Sequence, residues 1–163
     1  MAGPFTPEQQ ARFDAELVKI LAKYPEKNKA AAMIPLLRLC QDLLGWLPAE
    51  AMLLAAEKLE VPPARAEEVA SFYTMLHTEP HGKYLVEVCT NVSCSLRGAE
   101  HLLSFLERKL LVKAGHQTAD GRYTLRETEC LASCGTAPCL QINEDHHEDL
   151  TPKKVEQILG SLA

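Results

Sequence analysis

Residues 84–94 read YLVEVCTNVSC and decide the fold of the second half of the chain. Their first six residues alternate in polarity and are rich in strand formers, which is typical of a β-strand. Cys89 ends this strand, and Cys94 follows after four intervening residues. A second pair, Cys130 and Cys134, follows a second predicted strand. If the two strands are neighbours in one sheet, both cysteine loops leave it at the same end, and two pairs of thiolates converge.

The rest of residues 81–163 predicts a small layer of helices and strands. The predicted elements, after the strand over 84–89, are a helix over 96–112, strands over 122–127 and 140–143, and a last helix that Thr151-Pro152 caps and that runs to about residue 159. The order of strand, helix, strand, strand and helix favours a thioredoxin-like α/β domain. The whole chain is therefore predicted to be an α+β protein.

Residues 1–80 predict a small bundle of helices. The expected helices begin at Thr6-Pro7, run over 28–44 with Pro35 near the start or at a kink, begin again at Pro48, and finally cover 62–72. Gly45 is expected to end the second of them. The bundle has one cysteine, Cys40, and no cluster of histidines or acids. It is therefore interpreted as a docking or scaffolding domain.

Composition excludes several classes of function. The chain has 163 residues and a net charge of −5, so no basic excess is present to neutralise the phosphates of a nucleic acid. No run of about 18 apolar residues predicts a membrane span, and the first residues do not resemble a secretion signal. Six cysteines in a chain predicted to be cytoplasmic indicate metal binding or redox chemistry rather than structural disulfides.

The spacing of the cysteines leaves more than one site chemistry open. Four thiolates from two loops satisfy a [2Fe–2S] cluster, which takes two ligands on each iron. Zinc accepts four thiolates as well, although a gap of four residues lies at the edge of its usual spacing. A thioredoxin-type dithiol needs Cys-x-x-Cys, which is absent. Four free, buried thiols are a further alternative, and an iron–sulfur cluster is the favoured one.

A family resemblance extends over about residues 8–160. The pattern Cys-x4-Cys, then 35 residues, then Cys-x3-Cys-Gly and Ala137-Pro138 resembles the small [2Fe–2S] subunit, known as the E subunit, of NADH:quinone oxidoreductase, or respiratory complex I. Further segments that resemble the family are ASFY at 70–73, GKY at 82–84, DGRY at 120–123, QIN at 141–143 and EDLT at 148–151.

The resemblance implies a fold, a cofactor and partners. It implies a helical bundle followed by a thioredoxin-like ferredoxin domain, with one [2Fe–2S] cluster ligated by Cys89, Cys94, Cys130 and Cys134. It implies an electron carrier without a substrate site of its own. FMN and NADH would bind a flavoprotein partner subunit, and a large iron–sulfur subunit would be a second partner. The complex would be cytoplasmic and peripheral to the inner membrane.

Other assemblies and functions remain alternatives. Similar subunits occur in NAD-linked hydrogenases and formate dehydrogenases. A different class is a zinc-stabilised interaction module without redox activity. A third is a free ferredoxin that shuttles between enzymes, which would need no helical docking half.

The remaining cysteines and histidines receive less specific predictions. Cys139 follows Ala137-Pro138, where the family pattern leads us to expect an aliphatic residue or methionine, and we expect it to pack rather than to ligate. Cys40 is predicted to be a buried thiol on an apolar helix face. His146-His147 is predicted to lie at a solvated, acidic hairpin tip. The apolar run at residues 72–76 is interpreted as packing between the two halves or as a docking surface.

Overall fold

The computed structural model describes residues 3–162. The chain separates into two compact units, of which the first ends at Pro80 and the second begins at His81.

The first unit is helical. Its α-helices are α1 (Pro7–Leu21), α2 (Met33–Leu44), α3 (Ala49–Lys58) and α4 (Pro63–Phe72), and a 3-10 helix covers Glu26–Ala32. Thr6 caps α1 as predicted, because its side chain accepts a hydrogen bond from the backbone N–H of Gln9 while the Gln9 side chain accepts one from the backbone N–H of Thr6. Gly45 ends α2 in the left-handed conformation, with φ at +84°.

The predicted continuous helix over 28–44 is wrong in its first part. The chain forms the 3-10 helix there, and Asn28 within it has non-helical angles of φ −127° and ψ 27°. Pro35 lies in the first turn of α2, where its missing N–H leaves no helical hydrogen bond unmade. The α-helix therefore begins at Met33, close to the proline.

A single apolar cluster fills the centre of the helical unit. Phe13 of α1 and Leu36 and Cys40 of α2 are fully buried in it. Gln41 is a buried polar residue, and its side chain accepts a hydrogen bond from the backbone N–H of His77 at 2.6 Å and donates one to the Met75 carbonyl at 3.0 Å. The chain after α4 is thus held to α2 by hydrogen bonds of the kind that buried amides require.

The second unit is a mixed sheet with helices. Its elements are β1 (Tyr84–Cys89), α5 (Val92–Leu96), α6 (Ala99–Leu110), β2 (His116–Gln117), β3 (Tyr123–Thr128), a 3-10 helix (Cys134–Thr136), β4 (Leu140–Ile142), β5 (Asp145–His147) and α7 (Pro152–Ser161). The strand order across the sheet is β2-β3-β1-β4-β5. One apolar cluster joins the sheet, through residues such as Val86 and Leu125, to Leu106 of α6 and Val155 of α7.

The pairing of β1 fixes where the cysteines lie. It runs parallel to β3, with Cys89 opposite Thr128, so the expectation that the two cysteine loops leave the same end of the sheet is confirmed. On its other side β1 runs antiparallel to β4, with Val88 opposite Leu140. The backbone N–H of Cys89 donates to the carbonyl of Cys139 at 3.2 Å. Three segments that carry cysteines therefore meet at the end of β1.

Several details of this unit differ from the sequence prediction. The predicted helix over 96–112 is shorter in the structure, where α6 covers Ala99–Leu110, because Gly98 with φ at +92° precedes its first turn and Leu111 with φ at +54° follows its last. The short helix α5 was not predicted and lies before that range except for its last residue, Leu96. The short strands β2 and β5 were not predicted, since they hold two and three residues and carry no apolar alternation. Among the described residues, no helix has the length and apolar character that crossing a bilayer requires.

Candidate metal centre

Cys89 and Cys94 lie in the first cysteine loop and are both buried. Cys89 is the last residue of β1, and Cys94 lies within the short helix α5. The loop between them is held by Ser95, whose hydroxyl donates to the Thr90 carbonyl at 2.9 Å. Each cysteine is 2% exposed, so the first loop presents its sulfurs to the interior of the site.

Cys130 and Cys134 lie in the second cysteine loop and are both exposed. Cys130 follows β3, and Cys134 begins the 3-10 helix Cys134–Thr136. Between them, Ala132 has a positive φ of 63°, and its backbone N–H donates to Cys130 Sγ at 3.4 Å. A small residue therefore turns its backbone N–H toward a cysteine sulfur at this position.

The two loops come together at Cys89. Its Sγ lies 3.7 Å from the carbonyl oxygen of Glu129, the residue before Cys130. The backbone N–H of Leu131, from the second loop, is near enough to this sulfur to lower the pKa of Cys89. In addition, α5 contacts the 3-10 helix that starts at Cys134. The two cysteine loops therefore lie next to each other in the structure.

Cys139 adds a third buried sulfur that the sequence prediction did not include in the site. Its Sγ lies 3.8 Å from that of Cys94, and the Sγ atoms of Cys89, Cys94 and Cys139 all lie within 4.8 Å of one another. Among residues 3–162, neither Cys130 nor Cys134 joins this three-sulfur group. The sequence did contain a signal for this position, namely the short predicted strand after Ala137-Pro138. If that strand pairs antiparallel with β1, Cys139, the residue before the strand, lies opposite Cys89.

The three buried thiols differ in their tendency to ionise. Burial alone would raise the pKa of Cys89, but hydrogen bonds from the backbone N–H groups of Asn91 and Leu131, with those of the neighbouring thiols, lower it overall. Burial raises the pKa of Cys94, and the hydrogen bond with Cys89 raises it further. Burial, followed by the hydrogen bond with Cys94, raises the pKa of Cys139 to about 12. Cys89 is therefore the first of the three to become a thiolate.

A hairpin braces the second cysteine loop from the outside. Nε2 of His146 is hydrogen bonded to the hydroxyl of Ser133 at 2.7 Å, and the Thr136 hydroxyl donates to the carboxylate of Glu148. The Thr136 carbonyl accepts a hydrogen bond from the backbone N–H of Asp149 at 2.7 Å. His146 is exposed as predicted, whereas His147, for which the same was predicted, is half-buried. His146 also has a partner in the loop that the sequence did not reveal.

Together, the fold and the site define a class of protein. A parallel strand pair that ends in two cysteine loops, in a chain that also has a helical unit, is the framework of a cysteine-ligated metal centre in an α+β protein. The model of the thioredoxin-like [2Fe–2S] ferredoxin family matches residues 17–163, and the chain belongs to that family. The predicted fold class is therefore confirmed.

Curated relatives carry names from one kind of enzyme complex. The chain is 45% identical over 141 residues to the E subunit of the NADH-quinone oxidoreductase of Rickettsia prowazekii (strain Madrid E). The aligned residues cover 86% of this chain and 80% of that relative. It is 41% identical over 145 residues to mitochondrial NADH dehydrogenase [ubiquinone] flavoprotein 2 of Dictyostelium discoideum, covering 88% of this chain and 59% of that one.

Solved structures show that the fold recurs in larger chains. A crystal structure of an NAD+-reducing [NiFe]-hydrogenase in the air-oxidised state matches with a TM-score of 0.70 and 22% identity, over 84% of this chain. The H2-reduced state matches with a TM-score of 0.66 and 24% identity. This chain spans about a quarter of each hydrogenase chain, 24% and 23%.

The residues at the site fit the cluster of this family. A [2Fe–2S] cluster takes four thiolates and is stabilised by hydrogen bonds to its sulfurs. The two loops supply four cysteines, and the backbone N–H of Ala132 donates to the sulfur of Cys130. The two loops are also free of histidine, which removes the most common competing nitrogen ligand.

Proposed function

We propose that this chain is an electron-carrying subunit of an NADH:quinone oxidoreductase, with one [2Fe–2S] cluster bound by Cys89, Cys94, Cys130 and Cys134. The observation that carries the proposal is the parallel pairing of β1 with β3, which brings both cysteine loops to one edge of the sheet. The names of the curated relatives support the type of complex.

The chain's own residues hold and shield the site. When bound, the cluster supplies one-electron redox chemistry. Burial of Cys89 and Cys94 keeps water away from these two sulfurs, and the N–H group of Ala132 donates to the sulfur of Cys130. Such donors stabilise the negative charge that four thiolates bring to a metal centre. The braced second loop presents Cys130 and Cys134 at the surface, close to where a redox partner has access.

The sequence has no Gly-x-Gly-x-x-Gly motif and no phosphate loop. The proposal therefore places NADH and FMN on a flavoprotein partner subunit. A large iron–sulfur subunit is the second proposed partner. The complex is proposed to lie on the cytoplasmic side, peripheral to the inner membrane.

The helical unit is proposed to dock onto the flavoprotein subunit. Phe72 is 76% exposed and Met75 51% exposed, and together with Tyr73 they form an apolar surface after α4. A groove of about 620 Å³ adjoins it, lined in part by Ile34, Val69 and Tyr73. Exposed aromatic and methionine side chains are enriched at protein interfaces, which supports a docking role for this surface.

Native purification of the tagged, full-length chain tests the partner. The expected result is a co-purifying flavoprotein that carries FMN. Replacing Phe72 and Met75 together by serine should weaken this association. The matched control replaces Val18 and Leu53, which are 69% and 49% exposed on α1 and α3, by serine. Association that survives the first double substitution as well as the second would contradict docking through the surface after α4.

Electron paramagnetic resonance tests the redox function. NADH should produce the signal of a reduced [2Fe–2S] cluster, one unpaired spin per chain, in the complex with the flavoprotein but not in the isolated chain. Dithionite is the positive control for both samples. A signal from NADH in the isolated chain would mean that it binds the nucleotide itself. A colourless chain that contains zinc and no iron would contradict the proposal outright, because it is the result expected of the zinc-stabilised module.

The corresponding subunit of an NAD-linked hydrogenase is the second candidate. It is favoured by the match to the two hydrogenase structures, which by itself establishes only a shared fold. The same native purification separates the candidates, because a hydrogenase would bring a nickel-containing chain with it.

A further inference from the structure

Cys139 is held firmly at the edge of the cysteine site. Its side chain is fully buried, and its carbonyl accepts the backbone N–H of Cys89 at 3.2 Å. On the other side of the chain, the carbonyl of Pro138 accepts the backbone N–H of Leu150 at 3.1 Å. Strand β4 begins at Leu140, the residue directly after Cys139. The backbone that carries this sulfur is therefore fixed on both sides.

Once a metal is bound to Cys94, only Cys139 can donate the hydrogen bond between these two sulfurs. The two sulfurs are 3.8 Å apart, within the range of a sulfur hydrogen bond, and in the cluster-free chain either one is able to donate. A cysteine that ligates iron does so as a thiolate and has no proton to give. Cys94 then accepts, and the S–H group of Cys139 is the donor.

We propose that the thiol of Cys139 donates a hydrogen bond to the ligating sulfur of Cys94 and thereby raises the reduction potential of the [2Fe–2S] cluster. This inference rests on the proposed function, which makes Cys94 a ligand. Reduction adds one negative charge to the cluster and its ligands. A donor at a ligand sulfur stabilises the reduced form more than the oxidised form, so the potential rises. Cys139 is on this view a tuning residue and not a ligand.

Three substitutions in the full-length, reconstituted chain separate this role from packing and from ligation. Cys139→Val removes the donor while filling a similar volume and excluding water, and its β-branched side chain suits the start of a strand. Cys139→Ala removes the donor and also the bulk. Cys139→Ser keeps a donor. Cys40→Ala, in the helical unit, is the control for loss of a cysteine elsewhere.

The measurement is the midpoint potential of the cluster, followed by electron paramagnetic resonance during a dithionite titration. Cys139→Val and Cys139→Ala should both bind a full cluster and shift the redox equilibrium about threefold toward the oxidised form, which is about 28 mV lower at 59 mV per tenfold change. Cys139→Ser should stay closer to the wild-type potential than either, and Cys40→Ala should match the wild type.

The outcomes that overturn the inference are distinct from those that overturn the proposed function. A wild-type potential in both Cys139→Val and Cys139→Ala would show that Cys139 only packs. Loss of the cluster in both, with correct folding by circular dichroism, would show that Cys139 is a ligand. A wild-type chain that binds no [2Fe–2S] cluster would overturn the proposed function and this inference together. If the valine variant does not fold, the alanine and serine variants still decide the question.

Discussion

His146 and Ser133 are hydrogen bonded to each other, with Nε2 and Oγ 2.7 Å apart. Ser133 lies directly before Cys134, in the second cysteine loop, and His146 lies on β5, the outermost strand of its side of the sheet. A strand that contributes no residue to the apolar cores thus holds the exposed second cysteine loop. The polar, acidic hairpin at residues 143–149 therefore stabilises the second cysteine loop through hydrogen bonds to Ser133 and Thr136.

Removal of the His146 side chain should loosen the second cysteine loop and leave the fold intact. A single hydrogen bond contributes about 0.5–1.5 kcal/mol, and an exposed one lies at the low end, so we expect His146→Ala to release iron about twofold faster. The rate of iron loss to a chelator from the oxidised chain measures this. His147→Ala is the matched control and should release iron at the wild-type rate. Equal rates in the two variants would contradict the bracing role of His146.

Gly82 is required by a close approach of two backbone segments. A Cβ atom at this position would lie 2.9 Å from the carbonyl oxygen of Gly121 and 2.9 Å from the carbonyl carbon of Tyr123. Backbone atoms in a sheet yield little, so Gly82→Ala should lower the free energy of unfolding by about 1–3 kcal/mol. Urea denaturation of the full chain measures this change.

The control for Gly82 is Gly160, which lies in α7. Its added Cβ would meet nothing within 4 Å. Gly160→Ala should raise the stability by up to about 1 kcal/mol, because alanine favours the helix more than glycine. If Gly82→Ala proved as stable as Gly160→Ala, the close approach at residue 82 would be wrong.

Cys40 should make the stability of the chain depend on alkaline pH. Burial raises its pKa to about 12, whereas an unfolded cysteine has a pKa of about 8.5. The folded state keeps the proton that the unfolded state loses, so this contribution is complete below about pH 8.5 and is lost as the pH rises toward 12. In that window it should fall by about 1.4 kcal/mol per pH unit.

Denaturation of the wild type and of Cys40→Ala at several pH values isolates this contribution. The alanine variant loses some packing at neutral pH, but its stability should fall less steeply between pH 9 and pH 11. Cys139 and the other titrating groups are common to both proteins and cancel in the comparison. Parallel pH profiles would contradict the assignment of the slope to Cys40.

The sequence predicted those parts of the fold and the site that depend on periodicity and on strong end signals. The alternation over residues 84–89 and the capping hydroxyls of Thr6 and Thr151 are local signals, which lie in or directly before the element that they predict. They can therefore be recognised without knowledge of the tertiary structure. The meeting of the two cysteine loops followed from one assumption, that β1 and β3 are neighbours, and this assumption is confirmed.

The parts that were missed depend on a long-range contact or on the backbone conformation of a single residue. The proximity of Cys139 to Cys94 requires the antiparallel register of β4 on β1, which three residues of strand do not encode in their own pattern. The start of α6 at Ala99, three residues later than predicted, depends on the left-handed backbone of Gly98. Asn28, for its part, leaves helical geometry beside a lysine-rich segment with good helix formers.

The ligand set is the central claim, and one set of substitutions tests it most directly. Cys89, Cys94, Cys130 and Cys134 are each replaced by serine in the full-length chain, and iron content and the dithionite-reduced resonance signal are measured after anaerobic reconstitution. Each of the four variants should lose or strongly weaken the [2Fe–2S] signal, because serine is a poor substitute for a thiolate on iron, while Cys40→Ser and Cys139→Ser should keep it. If Cys139→Ser lost the cluster while Cys130→Ser or Cys134→Ser retained it, the three buried sulfurs of Cys89, Cys94 and Cys139 would be the core of the site, and the proposed ligand set would be wrong.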